Sequence, residues 1–467
     1  ESDLATLKCI LDTMSCYCAA SNFKPPSILE VLEHAHGLLT VTTASLSMLA
    51  IKFSLAKLCE LWWLSNEEGA ENLIAQLITH LLMATLSMDG RDTDVKRLYT
   101  IRSGFLLLDF EDESISFLRD LLHRSFVHPS FLRIKEGQKL LAFLIGSNQD
   151  LLVDVVTSVI RPQLTTGAKT VSAAYGKIIY QAWCDAENGS GTGVPPRKSL
   201  TIEDQNGCQQ ALEDCVQGLL RDGVHACEAK YFRGVRYLLQ AFHDVQRSKL
   251  DSMLLRIYDP ILWRSLKCAN AQVRSQAAVM FLDVFPLQHA DGRAEDNDKI
   301  LQKQFDLLAA LLTDSDHQVR AHAAQGVCHI LKEYWDSLPV NTTHNILKFL
   351  VDTLSVDASC ANVRHAVFVG LYELFQQPLA HGVLKQLLPL LRNSIHDKAE
   401  KVRVAFIRIL CQMKGIRGMH FYDVVSVDHL LERLAQDRRC PAVCEVMSEL
   451  LLNSFFPMND STNSTVA

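Results

Sequence analysis

Glycine and proline are scarce, at 21 and 13 of 467 residues, about 4.5% and 2.8% against the roughly 7% and 5% of average chains. That scarcity argues against a turn-dense all-β architecture. An excess of positive charge is also missing. The 46 Lys/Arg stand against 53 Asp/Glu, a net charge of −7, which excludes a wholly basic nucleic-acid binder but not a local basic face. The 14 cysteines contain no Cys-x-x-Cys. The nearest spacings, Cys16-x-Cys18 and Cys440-x3-Cys444, have no second ligand pair at zinc-site distance, so no metal or cofactor is expected. The cysteines read as buried thiols of a reducing compartment.

Long apolar runs are lacking as well. The uncharged stretches 37–51 and 72–88 fall short of the roughly 20 residues of a membrane span and carry polar side chains, so both are expected to be buried helices. No membrane partner is expected. The opening Glu1-Ser-Asp-Leu-Ala has no basic or apolar signal region and no initiator Met, which reads as a fragment without a signal peptide. Catalytic motifs are missing too. Gly189-Ser-Gly-Thr-Gly193 runs into Val194-Pro-Pro without the Lys-Ser/Thr of a phosphate loop, and His34 and His36 are two residues apart, on different faces of a helix. The chain is expected not to be an enzyme.

What is present is helical. Apolar residues make up 48% and charged ones 21%, a folded composition, and the apolar positions recur at three- and four-residue steps almost throughout. Two polar, turn-rich stretches, 185–207 and 288–298, interrupt the pattern and are expected to be loops; the tail 457–467 is expected to be disordered.

A repeat runs through the second half. NAQVRSQAA (270–278), SDHQVRAHAA (315–324), CANVRHAV (360–367) and AEKVRVAF (399–406) each hold a Val-Arg pair: Val273-Arg274, Val319-Arg320, Val363-Arg364 and Val402-Arg403. The steps between valines match the period of HEAT and armadillo arrays, roughly 40 to 47 residues. Val443 follows in register, with Cys444 in place of arginine. Pro260 and Pro389 share one offset from their valines, and Asp314 and Asp397 share another. The expected unit is a helical hairpin whose first helix is bent by proline. Its connection carries an aspartate that accepts from the first N–H groups of the second helix. Each arginine is placed to reach the aspartate of its own or a neighbouring turn, so repeat position alone accounts for Arg274, Arg320, Arg364 and Arg403. The fold class is therefore all-α, a HEAT-repeat α-solenoid of antiparallel helix pairs. We expect a single array over 1–456.

Charge is uneven along this array. Residues 221–274 hold ten Lys/Arg against five Asp/Glu, and 385–417 hold eight against two, whereas 275–316 is acidic. Two basic tracts on one solenoid suit a polyanion gripped through its phosphates; an ordinary solvated face explains them equally well. The DNA-contact candidates are Lys230, Arg233, Arg236, Arg247 and Lys249 in the first tract, with Lys398, Lys401 and Arg408 in the second.

The stretch AKYFRGVRYLLQAFHDVQRSKLDSMLLRIYDPILWRSLKCANAQVRSQAAVMFLDVFPL (229–287), together with HPSFLRIKEGQKLLAFL (128–144), resembles the G-type HEAT-repeat, non-SMC subunits of the condensin II complex. The resemblance covers the chain to Phe456, whereas 460–467 departs from it. It implies the N-terminal portion of a longer, non-enzymatic protein on chromosomes in the nucleus. It further implies binding to the condensin II kleisin subunit and double-stranded DNA, and an indirect link to the SMC ATPase heterodimer, in mitotic chromosome condensation and segregation. A generic HEAT protein–protein scaffold of the nuclear-transport or phosphatase type, without DNA binding, is the alternative, and an unrecognised enzyme site in the array is a third reading.

Overall fold

The computed structural model describes residues 2–21, 24–41, 45–87, 90–110, 112, 115–187, 202–245, 248–289 and 292–455. Among them every regular element is helical. Two compact units divide the chain, Glu1–Val245 and Gln246–Ala467.

The first unit contains α1 (Ser2–Ala20), α2 (Pro26–Ala35), α3 (Leu46–Leu64), α4 (Ala70–Leu86), α5 (Asp92–Thr100), α6 (Ser116–Val127), α7 (Pro129–Arg133), α8 (Lys135–Ser147), α9 (Gln149–Val155), α10 (Arg161–Leu164), α11 (Lys169–Glu187), α12 (Ile202–Val224) and α13 (Ala229–His243). Its last long helices show why it holds together. On α13, Gly234, Val235, Leu238, Leu239 and Phe242 are buried along one face, the three-to-four spacing of an amphipathic helix. On α11, Tyr175, Gly176, Ile179 and Trp183 are buried. The Tyr175 hydroxyl donates to the Phe126 carbonyl at 2.9 Å, and the Trp183 indole donates to Glu213 at 3.2 Å, so neither buried polar tip is left unsatisfied. Glycine sets how closely α13 is seated. A Cβ on Gly176 would collide with the Leu238 carbonyl, and one on Gly234 with the Leu164 carbonyl.

The second unit contains α14 (Ser248–Ser265), α15 (Ala271–Val284), α16 (Ala294–Leu312), α17 (His317–Tyr334), α18 (Val340–Asp352), α19 (Ala361–Leu374), α20 (His381–Leu387), α21 (Glu400–Met413), α22 (Val427–Gln436) and α23 (Pro441–Phe455). These are the hairpins expected from the Val-Arg repeats. The second helices α15, α17, α19, α21 and α23 pack one on the next. Val319, Val363, Val402 and Val443 are fully enclosed and Val273 nearly so. Each is worth about 1.5–3 kcal/mol relative to exposure. Aromatic edges knit the rungs: Phe368 meets Phe406 at 5.5 Å and Phe285 meets Tyr334 at 5.9 Å.

Several expectations need correction. Helix α11 runs to Glu187, α12 starts at Ile202 and α16 starts at Ala294, so both expected loops are trimmed by helix at their ends. Apolar partners further along each helix override the local turn formers there. The Gly189–Gly193 segment, Arg247 and the tail 457–467 lie outside the described residues. Stretch 37–51 is not a buried helix. Residues 37–40 belong to a 3-10 turn (His36–Thr40) and 46–51 to the start of α3, where Leu46 is 83% exposed. Pro260 does sit inside α14, whereas at Pro389 the hairpin's first helix has already tightened into a 3-10 segment, Leu388–His396. Of the fourteen cysteines only five are buried, and Cys9, Cys16 and Cys227 are exposed. Among the described residues no single helix is long and apolar enough to cross a membrane.

Replacing Gly176 or Gly234 by alanine forces α13 away from its neighbours. Overpacking of this kind costs about 1–3 kcal/mol, so the urea midpoint should fall with an unchanged slope. A midpoint equal to the parent's would show that these crossings are not as tight as described.

Candidate polyanion-binding surfaces

The arginines beside the repeat valines build a ladder before they build any binding site. Arg274 reaches both carboxylate oxygens of Asp314, at 2.8 and 2.9 Å. Arg364 does the same to Asp397 at 2.7 and 2.9 Å, and Arg403 to Asp437 at 3.0 Å on both oxygens. Arg320 meets Asp357 at 2.9 Å and Ser359 at 2.6 Å. Every arginine therefore crosses to the aspartate of the following repeat. Its remaining amine returns to its own turn: Arg274 to the Cys268 carbonyl, Arg320 to Asp314, Arg364 to Asp357 and Arg403 to Asp397, each within 2.7–2.8 Å. A planar fork with several fixed donors is what makes this three-way bridge, and lysine lacks it.

The aspartates hold the turn rather than the helix start. Asp314 accepts from Asp316 N at 2.7 Å and Asp397 from Ala399 N at 2.8 Å, while the first N–H groups of α17 go to Asp316. Burial pushes all four carboxyls up. Hydrogen bonds and the arginine charges outweigh it and hold Asp314, Asp357, Asp397 and Asp437 below the usual aspartate range. Asp357 and Asp437 escaped the repeat alignment because they lie one residue further from their valines than Asp314 and Asp397 do.

The expected DNA-contact residues fall into separate places. Lys230, Arg233 and Arg236 are exposed on α13, opposite its buried face. Arg233 Nε donates to the Ala229 carbonyl at 3.3 Å, which lays its side chain along the helix. Close by, Lys169 lies over the Tyr237 ring at 5.6 Å. Lys249 is exposed on α14 and belongs to the second unit. Lys398 is exposed in the turn before α21, whereas Lys401 and Arg408 lie on α21 and line a cleft of about 910 Å³ between α19, α21 and α23. The charge count missed Arg438 and Arg439, exposed in the next turn at the position equivalent to Lys398. Their register ahead of Val443 was the available signal. Among the described residues no three His, Cys, Asp or Glu gather as metal ligands.

A stack of helical hairpins joined by an arginine–aspartate ladder is a HEAT-type repeat protein. The family of condensin II non-SMC subunits (Condensin II non structural maintenance of chromosomes subunit) matches residues 124–289. The chain is 33% identical over 408 residues to the condensin-2 complex subunit G2 of Mus musculus, covering 87% of this chain and 34% of that protein. It is 32% identical over 454 residues to the Homo sapiens subunit, covering 96% and 37%. The chain belongs to this condensin II G2-type family, and it spans about a third of the length of the relatives it matches. A solved yeast importin-beta structure aligns at 10% identity and a TM-score of 0.45, covering 91% of this chain and 52% of that one.

The ladder's depressed carboxyls fix a pH signature. Their stabilising contribution is fully present above the ordinary aspartate pKa, about 4, and is lost as pH falls through the lower folded values. Asp437→Asn keeps the shape but strips Arg403 and Arg433 of their shared counter-charge. Loss of one partner from such a buried pair costs about 3–5 kcal/mol. Thermal unfolding from pH 7 to pH 2 should show the variant less stable at neutral pH, with the gap closing in acid. A gap that stays constant with pH would contradict the ladder's electrostatic role.

Proposed function

We propose that this chain acts as a regulatory, non-SMC component of condensin II, holding double-stranded DNA and a kleisin segment during mitotic chromosome condensation and segregation. In this reading it works on chromosomes in the nucleus and meets the SMC ATPase heterodimer through the kleisin, without catalysing a reaction itself. The observation that carries the reading is the identity to G2 subunits over nearly the whole chain, and the helix-borne cations support it. On α13, Lys230, Arg233 and Arg236 form one exposed stripe at three-residue steps. Backbone phosphates are met by such a stripe without regard to base sequence. Arg438, Arg439 and Lys398 offer a second set on successive turns of the other unit. Each set lies within its own unit and is proposed separately.

The test is a duplex titration across a salt series, with the full chain alone and with the kleisin added. Affinity should fall as salt rises, and Lys230→Glu with Arg233→Glu should flatten that slope by about one for each phosphate no longer neutralised. Salt-independent binding, or none, would favour the protein-only scaffold. Normal binding by the reversed stripe would remove α13 from the assignment.

A further inference from the structure

The cleft between α19, α21 and α23 differs in kind from the α13 stripe. Val369 and Tyr372 of α19 and Val404 of α21 give it an apolar floor, while Lys401, Arg408 and His365 supply polar heads along its walls. Arg408 and Lys401 are exposed, and Lys401 donates to Asn362 on the neighbouring α19. A phosphate backbone gains nothing from an apolar floor, whereas a peptide side chain does.

We infer that this cleft docks an extended acidic segment of another protein, seating one apolar side chain between two carboxylates. The spacing supports this. Lys401 and Arg408 are seven positions apart on α21, about 10 Å at 1.5 Å per residue. An extended peptide advances about 3.3 Å per residue and presents every second side chain to one face, so positions i and i+4 lie about 13 Å apart, a span that two long, flexible basic side chains bridge. Acidic groups at i and i+4 would therefore meet both cations from one face of the peptide, and the side chain at i+2, on that same face, would lie against Val404 and Val369.

The charges are arranged to favour that occupant over a basic one. Two carboxylates, Glu400 at the start of α21 and Glu449 of α23 near Cys411, line the cleft beside the two cations. At His365, in the cleft wall, the charges that act are those of Lys401 and Arg408. Burial, then these two cations, hold the His365 imidazole below its ordinary pKa. An arriving carboxylate relieves that repulsion. The inference stands apart from the duplex reading, which rests on α13 and on the turn residues.

The experiment uses the full chain and a fluorescein-labelled peptide with two glutamates four residues apart and a leucine midway between them. Its glutamine counterpart and a DNA duplex serve as the other arms. The glutamate peptide should bind about tenfold more tightly than the glutamine peptide. Lys401→Glu with Arg408→Glu should remove that preference, and Val404→Asp should weaken the peptide without changing duplex affinity. Lys230→Glu with Arg233→Glu should leave the peptide untouched, so loss of the duplex reading and loss of this one are told apart. In the unmutated chain, saturating peptide should raise the His365 pKa followed by NMR, a readout that needs no folded variant. Equal affinity for both peptides, an unmoved His365, or a duplex that displaces the peptide and suffers equally from the α21 reversals would overturn the inference.

Discussion

The arginine that crosses from one repeat to the next aspartate is the constraint on which the second unit depends. Hairpins of this kind cannot bury their faces alone, and apolar contact between them is directionless. A bidentate arginine–carboxylate contact supplies the missing direction, because its two hydrogen bonds fix both separation and angle. Each guanidinium also closes its own turn through backbone carbonyls, so shape within a repeat and stacking between repeats are set by the same side chain. The ladder changes character at its last rung. Asp437 is shared by Arg403 and by Arg433 of the preceding helix, and Cys444, where the next arginine would stand, donates to the Asp437 carbonyl instead.

That register decides which side chains form a surface. Because the valines are stacked inward, the positions just before each one fall into an outward row: Gln272, Gln318, Asn362 and Lys401. The row is neutral until its fourth member. The position six beyond each valine follows the same pattern, with Gln325 and Val369 leading to Arg408. Charge therefore enters these outward positions at α21, and the cleft appears beside it. One substitution pattern, read along the stack, turns a polar helix face into a binding surface without altering the core beneath.

Much of this was legible in the sequence. Val-Arg dipeptides at repeat spacing, with Asp314 and Asp397 in register, marked the hairpins, their inward face and the ladder's donors. The acceptors were half visible, since Asp357 and Asp437 sit one residue off the alignment, an offset that the turn absorbs without losing the arginine contact. The seating of α13 was hidden for a different reason: Gly176 and Gly234 look like ordinary helix glycines until the carbonyls they admit are placed in space. The cleft was hidden as well. Val369, Tyr372 and Val404 carry the same apolar signature as core residues, and only their partial or full exposure sets them apart.

Counting charges along the chain merges roles that the structure separates. Arg403 lies in the second basic tract but is buried against Asp437, and Arg274, in the first, is taken up by Asp314. Lys385 donates to the Gly418 carbonyl at 2.7 Å and Lys414 to the Leu450 carbonyl of α23, so both commit donors to backbone oxygens. A paired guanidinium attracts no polyanion, because its field is cancelled locally. Among the exposed cations outside the ladder are the stripe on α13, the turn cations Lys398, Arg438 and Arg439, and the cleft pair Lys401 and Arg408. Three settings with different floors follow from one class of residue. An open helix face suits phosphates, whereas an apolar cleft with two cations borne two helical turns apart selects for a chain that brings carboxylates and a hydrophobic side chain together.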